Sequence, residues 1–246
     1  MSQLRLAQIF TIALALLLIG LAPLRLALDA MGAARRGLAA REASGTIWRG
    51  QLQGARLGGV ELGDVRLGLD VAGLFLGGGR VWFRTQGPIS AKGVLLLSGK
   101  RAGARSLDGT LPLGLVIPKA PVHGRLGLKD VDLEFRHGLC RSAGGRVSLD
   151  QLTLPGGAPL APALVLSGSP TCRGGAAVIP LSGLADGVAI DVLIRLDGTG
   201  GYRLETVLRA TNPRFAALAA LSGFERTIDG FRRVDQGRLG GGEAPP

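Results

Sequence analysis

The sequence is poor in the side chains on which most enzymes and metal sites depend. Its 246 residues include only 2 histidines, 2 cysteines, 2 tryptophans and 1 tyrosine. A site that binds a metal through four His and Cys ligands would need every one of those residues, so the composition argues against a metalloenzyme. At 46% hydrophobic residues and a mean hydropathy of +0.32, the chain is too apolar to be a disordered polymer. Its 41 glycines follow no three-residue period, which excludes collagen.

Sequence motifs of catalysis are missing as well. No serine stands in the G-x-S-x-G frame of a hydrolase. Ser98-Gly99-Lys100 lacks the first glycine and the following Ser or Thr of a phosphate-binding loop. His123 and His137 each stand in polar, glycine-flanked surroundings, which is typical of surface histidines. We therefore predict a protein that is not an enzyme, with no catalytic residues, no cofactor and no metal.

The first 24 residues predict a membrane anchor. The uncharged run from Leu6 to Leu24 would form a helix of about 28 Å, close to the thickness of the hydrocarbon core of a bilayer. The alternative is a cleaved signal peptide, but such a peptide has a shorter apolar region and a small-residue cleavage site, where this chain has Pro23 and Arg25. A simple positive-inside count would leave the rest of the chain in the cytoplasm, although long domains are translocated with limited regard to charge. We favour a retained anchor with the C-terminal part exported to the periplasm.

Beyond Ser44 the pattern changes to short alternating runs cut by glycine. Such runs predict a mainly β fold, a curved antiparallel sheet of short, glycine-interrupted strands. Three times the alternation changes parity, across Gly63-Asp64, Lys129-Asp130 and Asp150-Gln151. An extra residue in a strand swaps the buried face unless a bulge or a turn absorbs it. The pattern therefore predicts either bulged strands or independent hairpins.

The clearest hairpin lies near the C-terminus. Residues 188–196 and 202–208 alternate strictly on either side of a glycine loop at 197–201. After Asn212-Pro213, residues 214–221 predict a short helix, and residues 240–246 a disordered tail. The expected organisation is a cytoplasmic stub and transmembrane anchor at 1–24, a juxtamembrane helix or linker at 25–44, a periplasmic β domain at 45–210, and a C-terminal helix with a tail at 211–246.

The two cysteines, Cys140 and Cys172, lie 32 positions apart. An even cysteine count in an exported chain favours a disulfide, and closing a loop of this length stabilises by about 3–4 kcal/mol on the chain-entropy estimate. In a cytoplasmic chain the same residues would be two buried thiols. Since we favour export, we predict the bridge.

The net charge of +11 also bears on the choice of partner. Nucleic acid is disfavoured because basic and aromatic residues do not interleave. Lipid headgroups or acidic partner proteins fit an anchored body better, and we take Trp48, Arg195, Arg203 and Arg209 as a possible interface. The alternative is a solvated surface that reflects an arginine-rich composition. For Trp48, we favour a core residue or an anchor at the bilayer interface over a partner-binding residue.

The segment Ser44-Gly-Thr-Ile-Trp-Arg-Gly50 supplies a resemblance. A membrane anchor, a short amphipathic stretch and then G-T-[IV]-W-x-G with leucine–glycine alternation resembles type II secretion system protein N, as do the Cys140 and Cys172 pair and the stretch from Leu218 to Gly230. The resemblance implies a bitopic inner-membrane protein of a Gram-negative bacterium, with a periplasmic β domain. It also implies an accessory role, alongside other secretion-system proteins, in moving folded proteins across the outer membrane.

Two other functions compete with a secretion component that works by protein contact. The first is a membrane-anchored lipid-binding or lipid-transfer β protein, because an apolar strand face such as residues 65–71 could hold acyl chains as readily as a core. The second is an anchored hydrolase, which is disfavoured because the sequence offers no pair of nucleophile and base.

Overall fold

The computed structural model describes residues 8–11, 13–14, 17, 20–57, 60–70, 78–117, 123–153, 163–210, 219 and 223–238. The predicted tail and nearly all of the predicted helix at 214–221 lie outside these residues, as does part of the predicted anchor. The described residues between 8 and 20 are helical. Among all described residues, no helix has both the length and the apolar character needed to cross a membrane.

The described chain is built almost entirely of strands. Two short α-helices, α1 (Leu24–Ala30) and α2 (Leu113–Val116), and a 3-10 turn at Ala34–Arg36 accompany them. The strands are β1 (Leu38–Ala39), β2 (Glu42–Gly45), β3 (Gly50–Leu57), β4 (Val60–Leu69), β5 (Gly79–Gln86), β6 (Ser90–Ser98), β7 (Arg101–Pro112), β8 (His123–Arg136), β9 (Leu139–Thr153), β10 (Leu166–Gly168), β11 (Thr171–Arg173), β12 (Ala176–Ala185), β13 (Val188–Leu196), β14 (Gly201–Ala210), β15 (Glu225–Thr227) and β16 (Gly230–Arg238).

All these strands belong to one antiparallel sheet. Its order is β1-β3-β4-β5-β6-β7-β8-β9-β10-β12-β13-β14-β16-β15, with β2 added beside β3 and β11 beside β12. Within the described residues the two ends of this path, β1 and β15, do not pair, so the sheet is open. This confirms the predicted mainly β, antiparallel fold. The strands are longer than predicted, however, since β8 has 14 residues and β9 has 15.

Bulges explain why long strands looked like short ones in the sequence. Each of the three parity changes falls inside a single strand, β4, β8 or β9. At each of them one residue takes a left-handed φ: +79° at Gly63, +48° at Asp130 and +53° at Gln151. The pairings of β3 with β4 and of β8 with β9 shift register in these strands. Of the two predicted alternatives, bulged strands are therefore confirmed.

The buried side chains form two separate clusters on one face of the sheet. The large cluster runs from β8 to β14, and Leu166, Leu181 and Val188 at its centre are almost completely buried. The small cluster consists of Leu24 from α1, Leu52 and Ala55 from β3 and Val65 from β4. Helix α1 thus covers the apolar face of the first strands.

The juxtamembrane segment at 25–44 is only partly helical. Helix α1 ends after Ala30 because Gly32 adopts φ +63°, and the amide of Ala33 donates to the carbonyl of Leu28 at 3.0 Å. This is the Schellman arrangement, in which a left-handed glycine closes a helix. The same segment then supplies β1 and β2 at the edge of the sheet.

The sheet also extends further toward the C-terminus than the predicted boundary at residue 210. Strands β15 and β16 occupy residues that we had assigned to the C-terminal helix and tail, and β16 pairs along most of β14. These residues carry few apolar side chains, so their alternation is weak in the sequence.

Candidate interaction surface

Charged side chains collect on the face of the sheet opposite the buried clusters, which we call the outer face. Its most concentrated feature is a basic row formed by Arg66 on β4, Arg84 on β5 and Lys92 on β6. Arg66 lies directly opposite Arg84, which in turn lies directly opposite Lys92. All three side chains are exposed. Like charges in directly opposed positions destabilise a sheet, so the row costs stability unless an anionic group binds to it.

The basic row borders an open cavity of about 520 Å³. Trp82 and Val94 face each other one step along the same strands and contribute apolar lining. Asp108 on β7 closes the row, with its Oδ2 atom 3.7 Å from the Nζ atom of Lys92. The site combines positive charge with an aromatic side chain, which suits an acidic group carried on an apolar or aromatic segment.

An ion triad follows on the outer face at the boundary between β7 and β8. The carboxylate of Glu134 accepts from Nη2 of Arg105 at 2.6 Å and from Nε of Arg136 at 2.7 Å. The side chain of Glu134 is only 8% exposed, whereas both arginines are about half exposed. The hydrogen bond from Arg136 lowers the pKa of Glu134 most, and the hydrogen bond from Arg105 lowers it further, so this pKa lies below its ordinary value. The triad therefore stabilises the contact between the two strands.

Three aspartates of the strands have a structural task that the sequence did not reveal. Asp64 accepts from the backbone amide of Gly54 at 3.1 Å, Asp132 from that of Ser106 at 2.8 Å, and Asp108 from that of Asp130 at 3.0 Å. Gly54, Ser106 and Asp130 all have left-handed φ values within strands. A bulge leaves an amide outside the sheet ladder, and a neighbouring carboxylate satisfies it.

The predicted interface arginines lie on β13 and β14, far along the sheet from the basic row. Arg195 directly opposes Arg203, and both are exposed. Arg209 forms an ion pair with Asp191, with Nη1 and Oδ2 2.7 Å apart. All three arginines are exposed, as the alternation of apolar and polar residues along these two strands indicates. The basic row itself was missed, because its members come together only through strand register.

Trp48 belongs to the four-residue loop of the β2–β3 hairpin, Thr46–Arg49, which we call the Trp48 turn. Within it, the amide of Thr46 donates to the carbonyl of Arg49 at 3.1 Å. Gly45 enters the turn with φ +84°, and a Cβ at Gly68 would collide with the carbonyl of Trp48. The glycines of the G-T-I-W-R-G segment and of β4 thus allow a tight turn to pack closely on the sheet.

The predicted disulfide is confirmed. Cys140 and Cys172 are bridged, with their Cα atoms 5.6 Å apart. Strand β10 is only three residues long and covers β9 only at Val147–Leu149. The bridge attaches the β11–β12 hairpin to the first residues of β9, which β10 does not cover. The amide of Cys140 also donates to the carbonyl of Gly175 at 2.7 Å.

The two histidines lie apart from one another, and the glycine loop contacts the β8–β9 turn, where the amide of Gly198 donates to the carbonyl of Gly138 at 3.3 Å. His123 and His137 are exposed at opposite ends of β8. The loop after β13 is organised by Asp197, whose Oδ1 atom accepts from the amides of Thr199 and Gly201, so it serves as the connection of the predicted hairpin. In the part of the chain that the structure describes, no three His, Cys, Asp or Glu side chains form a group that could hold a metal ion.

Of three comparisons with known proteins, one finds a match. No curated protein and no solved structure matches the chain. The family model described as type II secretion system (T2SS), protein N, matches residues 36–234, a range that includes the Trp48 turn, the disulfide and all but the last residues of the sheet. This confirms the resemblance carried by residues 44–50, and the chain belongs to the type II secretion system protein N family.

Proposed function

We propose that this protein is a non-enzymatic inner-membrane component of the type II secretion system. In this proposal residues 6–24 anchor it, and the sheet stands in the periplasm as a contact surface for other proteins of the system. Membership of the family supports the role in secretion. The observation that carries the mode of action is the basic row, Arg66, Arg84 and Lys92.

The partner follows from the charge of this surface. Three exposed cations on adjacent strands repel each other, with Asp108 as the acid next to Lys92. A partner protein that brings carboxylates to the row removes this repulsion on binding. Trp82 lies beside the row and offers the large, rigid contact area that is enriched at the centres of protein interfaces. We therefore expect an acidic segment of another secretion protein on this part of the outer face.

Charge reversal tests the proposal. The variant Arg66→Glu/Arg84→Glu/Lys92→Glu should reduce secretion of a folded substrate several-fold in a strain that lacks the wild-type protein. A matched control, Arg56→Glu/Arg146→Glu/Arg226→Glu, makes the same charge change at exposed but scattered positions. Normal secretion by the row variant at normal protein level would contradict the proposal, as would an equal loss of secretion in the control.

The compartment is tested separately. We expect an alkaline phosphatase fused after residue 240 to be active and a cytoplasmic reporter at the same place to be inactive. The opposite result would place the sheet in the cytoplasm. If mass spectrometry identifies lipid that stays bound to the protein after detergent has been removed, the lipid-binding alternative would be favoured instead.

A further inference from the structure

The N-terminal helical segment is joined to the sheet without a free linker. The carbonyl of Ala22 accepts from the amide of Ile47 at 3.0 Å, and Pro23 forms a β-bridge with Thr46. Leu24, which follows at once, is only 2% exposed. The next contact connects the Trp48 turn to the sheet, since the carbonyl of Ile47 accepts from the amide of Leu69 at 2.9 Å. The end of the N-terminal segment is therefore fixed in position relative to the strands.

This junction marks one end of the sheet. Because all pairs are antiparallel, every second connection lies at the same end. The Trp48 turn shares its end with the β6–β7 turn at residues 99–100 and the β8–β9 turn at 137–138; we call this the near end. The β12–β13 turn at 186–187 and the β15–β16 turn at 228–229 lie at the far end. The two ends are separated by the length of β8, about 45 Å for 14 residues.

Charge distinguishes the two ends. At the near end the turns and the strand residues next to them carry exposed Arg49, Lys100, Arg101 and Arg136, and the β13–β14 turn adds one exposed acid, Asp197. At the far end the two turns named above carry exposed Asp186 and Asp229. Exposed apolar side chains occur at both ends, for example Leu97 and Leu139 near, and Leu184 and Ile228 far. At the far end exposed Arg226 stands near Ile228 but is flanked by exposed Glu225 and Asp229, so among the described residues the larger excess of positive charge beside exposed leucines lies at the near end.

We propose that the near end of the sheet rests on the anionic headgroups of the membrane from which the N-terminal segment emerges. This rests on the proposed anchoring by residues 6–24. Attraction between basic side chains and anionic lipid falls off within a Debye length, so Lys100, Arg101 and Arg49 act only if they lie at the membrane surface. The junction at Ala22–Leu24 holds them there, while Leu97 and Leu139 reach the apolar side of the interface. The outer face and the far end then remain available to protein partners.

Two labels on the full-length chain test this seating. The variants Lys100→Cys and Asp229→Cys each introduce one reactive thiol, because Cys140 and Cys172 are bridged. Each variant is labelled with bimane and reconstituted into vesicles of phosphatidylethanolamine and phosphatidylglycerol. A lipid with a nitroxide on its headgroup then quenches bimane that lies at the membrane surface. We expect the label at position 100 to be quenched several-fold more than the label at 229, and to lose much of this quenching at high salt.

The possible failures are distinguishable. If both labels are quenched equally weakly while alkaline carbonate leaves the chain in the membrane, the seating is wrong and the anchoring stands. If carbonate extracts the chain, the anchoring fails and the seating fails with it. Stronger quenching at position 229 than at 100 would show that the far end faces the membrane and would also overturn the proposal.

Discussion

The two parts of the sheet keep their strands together in different ways. Strands β8 to β14 share one large buried cluster, to which β13 contributes every second residue from Val188 to Leu196. Strands β1 to β4 bury only Leu52, Ala55 and Val65, and they depend on Leu24 of helix α1 to cover them. The second part therefore has its own hydrophobic core. The first part is buried only because helix α1, which follows the predicted anchor, packs on it.

This difference has a physical consequence for function. Burial of apolar surface contributes roughly 25 cal/mol per Å², so a small cluster gives a small local stability. Regions of low local stability open before the whole fold does. Of the strands that carry the basic row, β4 belongs to this less stable part and depends on the junction with α1, whereas β5 and β6 lie between the two clusters. In the proposed anchored arrangement, attachment to the membrane would be connected through Leu24 to the order of β4, which carries Arg66.

The largest expected effect separates the two clusters. Leu181→Ala, in the large cluster, should lower the free energy of unfolding by about 3–5 kcal/mol, because it leaves a cavity that neighbours cannot fill. Leu52→Ala, in the small cluster, should cost about 2–3 kcal/mol. Hydrogen exchange should accelerate in β8 to β14 for Leu181→Ala, but only in β1 to β4 for Leu52→Ala. Uniform acceleration by both variants would mean that the sheet is one cooperative unit.

Loss of the disulfide should act on the second part alone. The variant Cys140→Ser/Cys172→Ser should be less stable by about 3–4 kcal/mol in urea unfolding, because the unfolded chain regains the freedom of a 32-residue loop. Amide exchange in β3 to β6 should stay at the wild-type rate. Thiol alkylation of the denatured, unreduced wild-type protein is the control. Free labelling of both cysteines there would show that the bridge is absent.

A smaller effect is expected at Glu134, where β8 contacts β7. Its pKa is lowered in the folded state, so the triad stabilises the fold above the unfolded-state pKa of about 4.3. That stabilisation is lost as the pH falls through the folded-state pKa. Between about pH 6 and pH 3 the wild type should lose more stability than Glu134→Gln, by up to about 1.5–3 kcal/mol, which is the usual value of hydrogen bonds to charged groups. Parallel pH profiles for the two proteins would contradict the assignment.

The smallest effect is expected from the histidines at the two ends of β8. His123→Ala/His137→Ala should change stability by less than about 0.5 kcal/mol, because both side chains are exposed. Secretion should continue at the wild-type level. A folded double variant that no longer supports secretion would reveal a function for these residues and refute the proposal that the sheet has no active site.

Several features of this fold are local and could be predicted from the sequence. The strict alternation around residues 197–201 predicted the β13–β14 hairpin, because strand side chains alternate faces whatever the neighbouring strand is. The parity changes predicted interruptions at Gly63, Asp130 and Gln151, although only the pairing partners distinguished a bulge from a turn. Strand β16 was not predicted because its residues are mostly polar and exposed, so apolar side chains do not mark its alternation.

The sequence by itself determined the class of the fold, the facing direction of the outward arginines and the two cysteines that pair. The first two depend on residue type and on spacing within one segment, whereas the bridge was predicted from the count of two cysteines and the expected export. Tertiary structure alone decided that Arg66, Arg84 and Lys92 form one row, and that Ala22, Pro23 and Leu24 are held by the Trp48 turn. Strand register and the docking of a helix join residues that are distant in the chain, and no local pattern records which residues will meet.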